Sequence, residues 1–507
     1  MAQNGTKEKD QPVAEDIDRG PGGFTQILLN TPSWLLSLMV HTVLLLGLAL
    51  MTVDSSTQAI QVAEYIADAP IEEPIEEEPE EINIEIDPYA EVSPDAITSD
   101  VVAYSDVDAG PPSVEADEPA PAMVEVDPLA IGTLTPSNAG TAPSNVSGNG
   151  FGFRTQARRT AGVRGATTGS EAAVARGLVW LSLHQYPDGG WNFDHTHSPK
   201  CQGQCSSPGH AIKARNGATA LGILPFLGCG ITHKDGKTHK DVVKRGLYYL
   251  GNNIKLEAGK GGSFHEEAGT MYSHGLATIC LTEAYGMTKD KALQKPAQEA
   301  VNFVVYAQDP GGGGWRYAPQ QKGDTSVVGW QMMALKSGYM AYLKVPPETA
   351  KKAMLFLDSV QSNSGANYGY ETPGHSDACT AIGLLCRMYY GWKKDNPALE
   401  RGVEWISQRG PSGDMYYNYY ATQVMHHYEG VLWKNWNNRM RDQLVDSQVS
   451  DQKSHEFGSW APTGQSHTTE AGGRHCQTAL SVMTLEVYYR HSPIYKKQTT
   501  EGGLPLE

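Results

Sequence analysis

The sequence predicts an all-α fold: an (α/α)6 toroid preceded by one transmembrane helix and a disordered acidic linker. A turn of the type Gln-x-x-Asp-Gly-Gly-Trp stands at 185–191. Weaker copies follow as far as about residue 495, at intervals of about 50 residues, and each copy leads into a helix of small and apolar residues. Such a period indicates a helical unit that buries its apolar face only by stacking on its own copies. An uncharged stretch and a Pro/Glu-rich stretch precede the repeats.

The first two segments are a polar tail and a membrane anchor. Residues 1–33 are polar and Gly-rich, and we expect a disordered cytoplasmic tail. Residues 34–53 carry no formal charge, and at about 1.5 Å per residue they would span about 30 Å, the thickness of a bilayer core. A cleaved signal peptide is the alternative, but the region before the apolar stretch is long and weakly basic.

The basic residues set the expected orientation. Lys7, Lys9 and Arg19 precede the apolar segment, and no Lys or Arg follows it before position 154. This asymmetry predicts a single-pass protein of the inner (cytoplasmic) membrane, with the N-terminus in the cytoplasm and the large domain extracytoplasmic, in the periplasm. The next segment, 54–168, is rich in Pro and acidic residues, and we expect a disordered tether.

The acidity of the chain belongs to that tether. The whole chain has a formal net charge of −17, but 22 Asp or Glu residues fall within 54–127 alone. From residue 154 onward there are 37 basic and 30 acidic side chains. This small and scattered positive balance gives no indication of nucleic-acid binding.

Two polar residues inside the predicted anchor suggest a partner. Ser37 and His41 are four residues apart and therefore share one helix face. An ionisable residue in a membrane span indicates a functional site, although polar groups near a helix end are also tolerated without one. The Ser-x-x-x-His pattern followed by a Pro/Glu-rich extension resembles the anchor of TonB-type energy transducers. That resemblance, over residues 32–90, implies contact with an ExbB-ExbD-like motor.

The repeat region, 169–496, is predicted to form twelve helices in six pairs, followed by a disordered tail at 497–507. The second helix of each pair has few charges and is expected to be inner, and five of the six end in glycine, which suits a left-handed C-terminus. The predicted inner helices are 218–228, 275–286, 326–338, 378–391, 421–430 and 477–490. The predicted outer helices are 171–184, 242–251, 297–308, 350–361, 399–408 and 436–448.

The Gly-Gly-Trp turns and Ala/Thr-rich inner helices resemble the squalene–hopene cyclase and protein prenyltransferase β-subunit superfamily. The cyclases of that family use an Asp-x-Asp-Asp acid, which this chain lacks. Its nearest counterpart is Asp324, which also suits a helix N-cap. Aromatic residues such as Trp330, Tyr419 and Tyr420 could line a cavity for carbocations or serve as packing residues.

The prenyltransferases of the family hold Zn²⁺ with an Asp-x-Cys pair and a later His. Asp377 and Cys379 resemble that pair and His475 resembles the His, but they lie two repeats apart rather than on successive units. The candidate catalytic residues are therefore Asp324, Asp377 and His475, and whether the chain is an enzyme stays open.

A separate polar loop contains a second candidate site. His195, His197, Cys201 and Cys205 offer the soft ligands that tetrahedral zinc prefers. A Cys201–Cys205 disulfide is the rival interpretation in an oxidising compartment, and unlinked loop residues are a third.

These observations together favour a membrane-anchored, extracytoplasmic toroid that serves as a binding or scaffold module. One alternative is a toroid enzyme that acts on a lipid, isoprenoid or glycan. The other is a motor-coupled envelope protein of the TonB type. The sequence does not identify the ligand of this module, which could be a lipid, a glycan or a protein.

Overall fold

The computed structural model describes Thr42, Phe151, Arg154–Arg159, and residues 161–236, 238–463 and 467–495. The predicted cytoplasmic tail and all but one residue of the predicted anchor lie outside this part of the chain. Within it, no helix has both the length and the apolar character needed to cross a bilayer.

In the described residues the repeats form two layers of helices, as the sequence predicts. Helix α1 (Arg154–Arg159) precedes the repeats. The outer helices are α2 (Thr168–Leu183), α4 (Lys240–Asn253), α6 (Lys291–Tyr306), α8 (Pro347–Val360), α10 (Pro397–Arg409) and α12 (Gly430–Ser447). The inner helices are α3 (Arg215–Gly228), α5 (Thr270–Thr288), α7 (Thr325–Met340), α9 (Asp377–Tyr389), α11 (Met415–Tyr428) and α13 (His467–Leu485), with the short α14 (Val487–Arg490) at the end.

The inner helices close into a ring. Each packs on the next one in the chain, from α3 to α13, and α13 packs back on α3. In α3 every residue after Arg215 is buried, as expected for a helix with neighbours on all sides. The outer α4 instead buries Val243, Leu247 and Leu250 and exposes its lysines to solvent. The described repeats are therefore an α/α toroid.

Two of the glycines expected to end inner helices lie inside them. Helix α5 continues past Gly286 to Thr288, and α7 continues past Gly338 to Met340. A side chain at Gly286 would collide with the ring of Phe151, and one at Gly338 would press on Val301. These glycines serve close packing rather than helix termination, which the helical spacing alone could not distinguish.

The Gln and Trp of the repeat motif hold a turn to the helices beside it. The Nε2 of Gln185 donates to the carbonyls of Gly189 in its own turn and of Val242 in the next outer helix. The Nε1 of Trp191 donates to the carbonyl of Leu181. Buried amide and indole groups thus find partners inside the repeat, which explains why these residue types recur.

The same contacts recur in two further units of the ring. Short antiparallel pairs, β1 (Lys255–Glu257) with β2 (Gly261–Ser263) and β3 (Gln361–Ser362) with β4 (Asn367–Tyr368), occupy the turn in two other units. The equivalent donors and acceptors are Gln308 with Gly313 and Thr349, Trp315 with Val304, Gln448 with Gly458 and Ala173, and Trp460 with Leu444.

One end of the barrel is filled by the segment that precedes the repeats. Arg154 of α1 donates to the carbonyl of Leu227 at 3.0 Å and to Glu283 at 2.9 Å. Arg490 pairs with the same carboxylate at 2.9 Å. The predicted tether extended to residue 168, but its last part is ordered because Arg154 neutralises a buried acid and Phe151 fills the space over Gly286.

Candidate functional site

The loop after the first Gly-Gly-Trp turn folds tightly around its two cysteines. Amide groups of Cys201 and Gln202 donate to the carbonyl of Ser198, and the amide of Gln204 donates to the carbonyl of Cys201. Gln202 has a φ of 48°, which lets the chain reverse within the Cys-x-x-x-Cys segment. Cys201 and Cys205 are both buried free thiols in the structure.

Two histidines from distant positions join these thiols. A ligand atom of each of His184, Cys201, Cys205 and His455 lies within 4.8 Å of those of the other three. The Sγ of Cys205 is 3.4 Å from Nε2 of His184 and 3.1 Å from Nδ1 of His455. The group, named here the Cys₂His₂ cluster, offers two sulfur and two nitrogen donors.

The protonation of His184 leaves one nitrogen free to bind a metal. Its Nδ1 lies 2.7 Å from the carbonyl of Trp180, which only accepts hydrogen bonds, so Nδ1 carries the proton. Burial lowers the pKa of His184 to about 2, so its ring is neutral. The Nε2 lone pair therefore points towards the thiols. Burial also raises the pKa of Cys205 to about 12, so without a cation this group stays a thiol.

The two histidines that the sequence suggested lie outside the Cys₂His₂ cluster. His195 is buried with its ring 5.3 Å from that of His184, but its Nδ1 contacts the carbonyl of Phe193. The side chain of His197 is 80% exposed and pairs with Asp194 at 3.4 Å. Both histidines belong to a short helical turn at His195–His197, which Asp194 caps by accepting from the amide of Thr196.

Sequence reasoning missed His184 and His455, although His184 carried a signal. It directly precedes the motif glutamine, where Ala307 and Val360 stand in two later units. The ring nitrogens of a buried histidine need hydrogen-bond or metal partners, so a histidine in that position indicates a polar site. His455 lies in the insertion between Gln448 and Gly458, and no spacing rule connects it to the first unit.

The loops that carry the Cys₂His₂ cluster are fastened together by one arginine. Arg474 donates to the carbonyl and the hydroxyl of Ser206 at 3.1 and 2.9 Å, and to the hydroxyl of Ser459 at 2.9 Å. It also pairs with Glu456 at 3.0 Å, and Glu456 accepts from the amide of Ser206. Both sides of the cluster therefore have fixed backbone positions.

Asp324 has the N-cap contact that its sequence position predicts. Its Oδ1 accepts from the amide of Val327 at 2.8 Å, while Oδ2 lies 3.8 Å from Nε of Arg316. Burial raises the pKa of Asp324 to about 6, although the helix amides, the Tyr370 side chain and Arg316 favour its charged form. A carboxyl group with this pKa exchanges protons near neutral pH.

Asp377 and His475 contact different partners and do not meet. Asp377 pairs with Arg409 at 2.8 Å and with His375 at 3.5 Å at the start of α9. His475 is fully buried, and its Nε2 donates to the carbonyl of Ala218 in α3 at 2.8 Å. Burial lowers the pKa of His475 to about 4, so it is neutral at pH 7. The predicted catalytic residues thus lie on three inner helices without a shared partner.

Aromatic side chains pack on one another between α7 and α11. The ring of Trp330 stacks on Tyr419 with centroids 5.6 Å apart and meets Tyr420 edge-on at 5.5 Å. All three are buried. Because α9 separates α7 from α11 in the ring, these contacts pass through the barrel interior. At the α1 end, a cavity of about 30 Å³ lies beside Phe151, Arg154 and Arg490, which is room for about two water molecules.

The predicted motor contacts, Ser37 and His41, lie outside the described residues. The predicted extracytoplasmic location and the proposed partners therefore stay predictions.

No family model matches the chain, and no curated protein matches it either. Among solved structures it is similar to the type II terpene cyclase MstE from Scytonema, with 12% identity, a TM-score of 0.42, and 63% of this chain and 98% of that chain covered. It is also similar to the α-1,6-mannanase GH76A of Salegentibacter sp. HEL1_6, with 7% identity, a TM-score of 0.44, and 63% and 99% covered. An α-amylase from Clostridium perfringens matches with 10% identity, a TM-score of 0.41, and 62% and 97% covered. Likenesses at this level carry no argument about activity.

Proposed function

We propose that this chain is a binding or scaffold toroid, held outside the cytoplasmic membrane by an anchor at 34–53 and a long acidic tether. The observation that carries the proposal is the packed interior between α7 and α11, where Trp330, Tyr419 and Tyr420 contact one another. A toroid that encloses an apolar substrate needs this space for the substrate. A barrel filled by its own side chains offers its outer surface to a partner instead.

The environment of the candidate catalytic residues supports the same proposal. Asp324 caps a helix, Asp377 forms an ion pair, and His475 donates to a backbone carbonyl. Each of these contacts stabilises the fold. An active site would require the three side chains to converge on one reacting atom, whereas a scaffold does not.

A catalytic assay tests the proposal. The full-length protein is incubated with squalene, geranylgeranyl diphosphate and an α-linked mannan, and products are followed by mass spectrometry. We expect no conversion above the rate without protein. Formation of a product that is lost in Asp324→Asn, and retained in the matched capping variant Asp414→Asn, would overturn the scaffold proposal. Asp414 also caps an inner helix, since its carboxylate accepts from the amide of Tyr416.

A second candidate function, acid catalysis on an isoprenoid or glycan, has one specific observation in its favour. Asp324 is fully buried, its Oδ2 lies 3.8 Å from Nε of Arg316, and burial raises its pKa to about 6. A carboxyl group with this pKa is protonated in a larger fraction of molecules near neutral pH than an ordinary aspartate, which suits it to donate a proton. The same assay separates this function from the scaffold function.

Coupling to an ExbB-ExbD-like motor through Ser37 and His41 is a further proposal that rests on the sequence alone. Its test is recovery of the full-length protein from membranes with and without His41→Ala. Loss of one specific partner in the variant supports motor coupling, and an unchanged set of partners contradicts it.

A further inference from the structure

We propose that His184, Cys201, Cys205 and His455 bind one Zn²⁺ in a closed structural site that joins the first unit of the toroid to the last. The proposal is independent of whether the barrel acts as a scaffold or as an enzyme. It rests on the identity of the donors, their separation, and their position in the ring.

The donor set selects the metal. Two thiolates and two imidazoles are the ligands of tetrahedral zinc sites, whereas Ca²⁺ and Mg²⁺ require oxygen donors. With Zn–N and Zn–S bonds of about 2.0 to 2.3 Å, the ligand atoms of such a site lie about 3.3 to 3.8 Å apart. The four donors here lie within 4.8 Å of one another, so a zinc ion needs only a small rearrangement of these side chains.

The surroundings favour a structural ion rather than a catalytic one. Four protein ligands fill a tetrahedral shell and leave no position for water or substrate. His184 and Cys201 are fully buried, Cys205 is 4% exposed, and His455 is half-buried. Three of the four ligands are therefore shielded from solvent, as in sites that stabilise a fold.

The groups around the cluster also fit a metal site. The Nδ1 of His184 donates to the carbonyl of Trp180, which is the usual outer contact that fixes a metal-binding imidazole and leaves its other nitrogen bare. Arg474 binds Ser206, next to Cys205, and Ser459, in the loop of His455. The ligand loops are thus positioned by contacts that do not involve the metal.

The position of the cluster gives it a purpose. His184 follows the first outer helix, α2, and both cysteines belong to the first unit, while His455 lies between α12 and α13 in the last unit. Cys205 and His455 are 250 positions apart. A bond through one ion between such distant segments closes a very long loop, and cross-links of this kind restrict the unfolded chain most.

Metal analysis of the full-length protein, purified without added zinc or chelator, tests the site. We expect about one zinc per chain in the wild type and about a tenfold lower content in Cys205→Ser and in His455→Ala. Cys379→Ser and His195→Ala are matched controls, since both residues are buried and neither contributes to the cluster. Both controls should keep the zinc.

A conservative variant guards against misfolding as the cause of metal loss. His455→Cys supplies a thiolate in place of the imidazole and should retain about one zinc per chain. The proposal is overturned if the wild type contains no zinc and mass spectrometry finds a Cys201–Cys205 disulfide. It is also overturned if His195→Ala loses the metal while His455→Ala keeps it.

Discussion

The Sγ of Cys205 lies 3.1 Å from Nδ1 of His455, although 250 positions separate these residues in the chain. The contact joins the first and last units, beside the packing of α13 on α3. A closed ring has no terminal unit with a bare apolar face, so it needs no capping repeats. The stability of the toroid should therefore depend strongly on what holds this junction.

Removal of the metal should weaken the junction more than the opposite side of the ring. A chelator is expected to lower the melting temperature of the full-length protein by at least about 5 °C, because a ligand bound only to the folded state stabilises it. Hydrogen exchange should rise in 199–207 and 449–459 and stay unchanged in α7 and α8. Uniform exchange changes around the ring would contradict a local junction.

Gln448 should be among the most sensitive positions of the junction. Its Nε2 donates to Ala173 and Gly458, and its Oε1 accepts from Arg176 at 2.7 Å. Gln448→Ala leaves these buried groups unpaired and should lower the free energy of unfolding by about 2–4 kcal/mol. Denaturant unfolding measures this, with the neighbouring surface variant Gln443→Ala as control. Equal stability of the two variants would contradict the role assigned to Gln448.

Arg154 should hold the N-terminal segment in the end of the barrel. Burial opposes the negative charge of Glu283, but the pKa of Glu283 is lowered because Arg154 and Arg490 both pair with it. Arg154→Met keeps the packing but removes one of these partners, which should cost about 3 kcal/mol. Limited trypsin digestion should then cut near Arg158 sooner than in wild type. If Arg154→Met is no more susceptible than a surface substitution such as Lys434→Met, the segment is held by other contacts.

Glu486 predicts a decline of stability with rising pH. Burial raises its pKa to about 8, so the folded chain keeps this proton between the unfolded pKa and about pH 8 while the unfolded chain releases it. A raised acid pKa gives stability that is lost as pH rises through this window, by up to about 1.4 kcal/mol per pH unit. Urea unfolding between pH 6.5 and 8 should show a flatter dependence in Glu486→Gln. Parallel curves for both proteins would contradict this account.

The fold could be predicted from the sequence because the patterns that indicate it are local. Three of the turns carry their own Gln, Gly and Trp, and each inner helix shows its burial in its composition, so the helix pairs and their order follow from short windows. The glycines at Gly286 and Gly338 misled the prediction of helix ends, because a glycine required by a neighbour such as Phe151 looks the same as one that ends a helix.

Only two of the four residues of the candidate metal site could be predicted from the sequence. Cys201 and Cys205 are close in sequence, and their spacing points to a shared site. His184 and His455 come close to the two cysteines only when the ring closes. That closure depends on the packing of α13 on α3, which cannot be predicted from a local sequence pattern. His195 and His197 were nearer in sequence, but His195 only packs beside His184 and His197 is exposed.

X-ray absorption at the zinc K-edge of the full-length protein tests most directly whether a metal joins the first and last units of this ring. The proposed site predicts two sulfur ligands at about 2.3 Å and two nitrogen ligands at about 2.0–2.1 Å. A first shell of oxygen and nitrogen without sulfur, or the absence of bound zinc in protein that is otherwise folded, would contradict it.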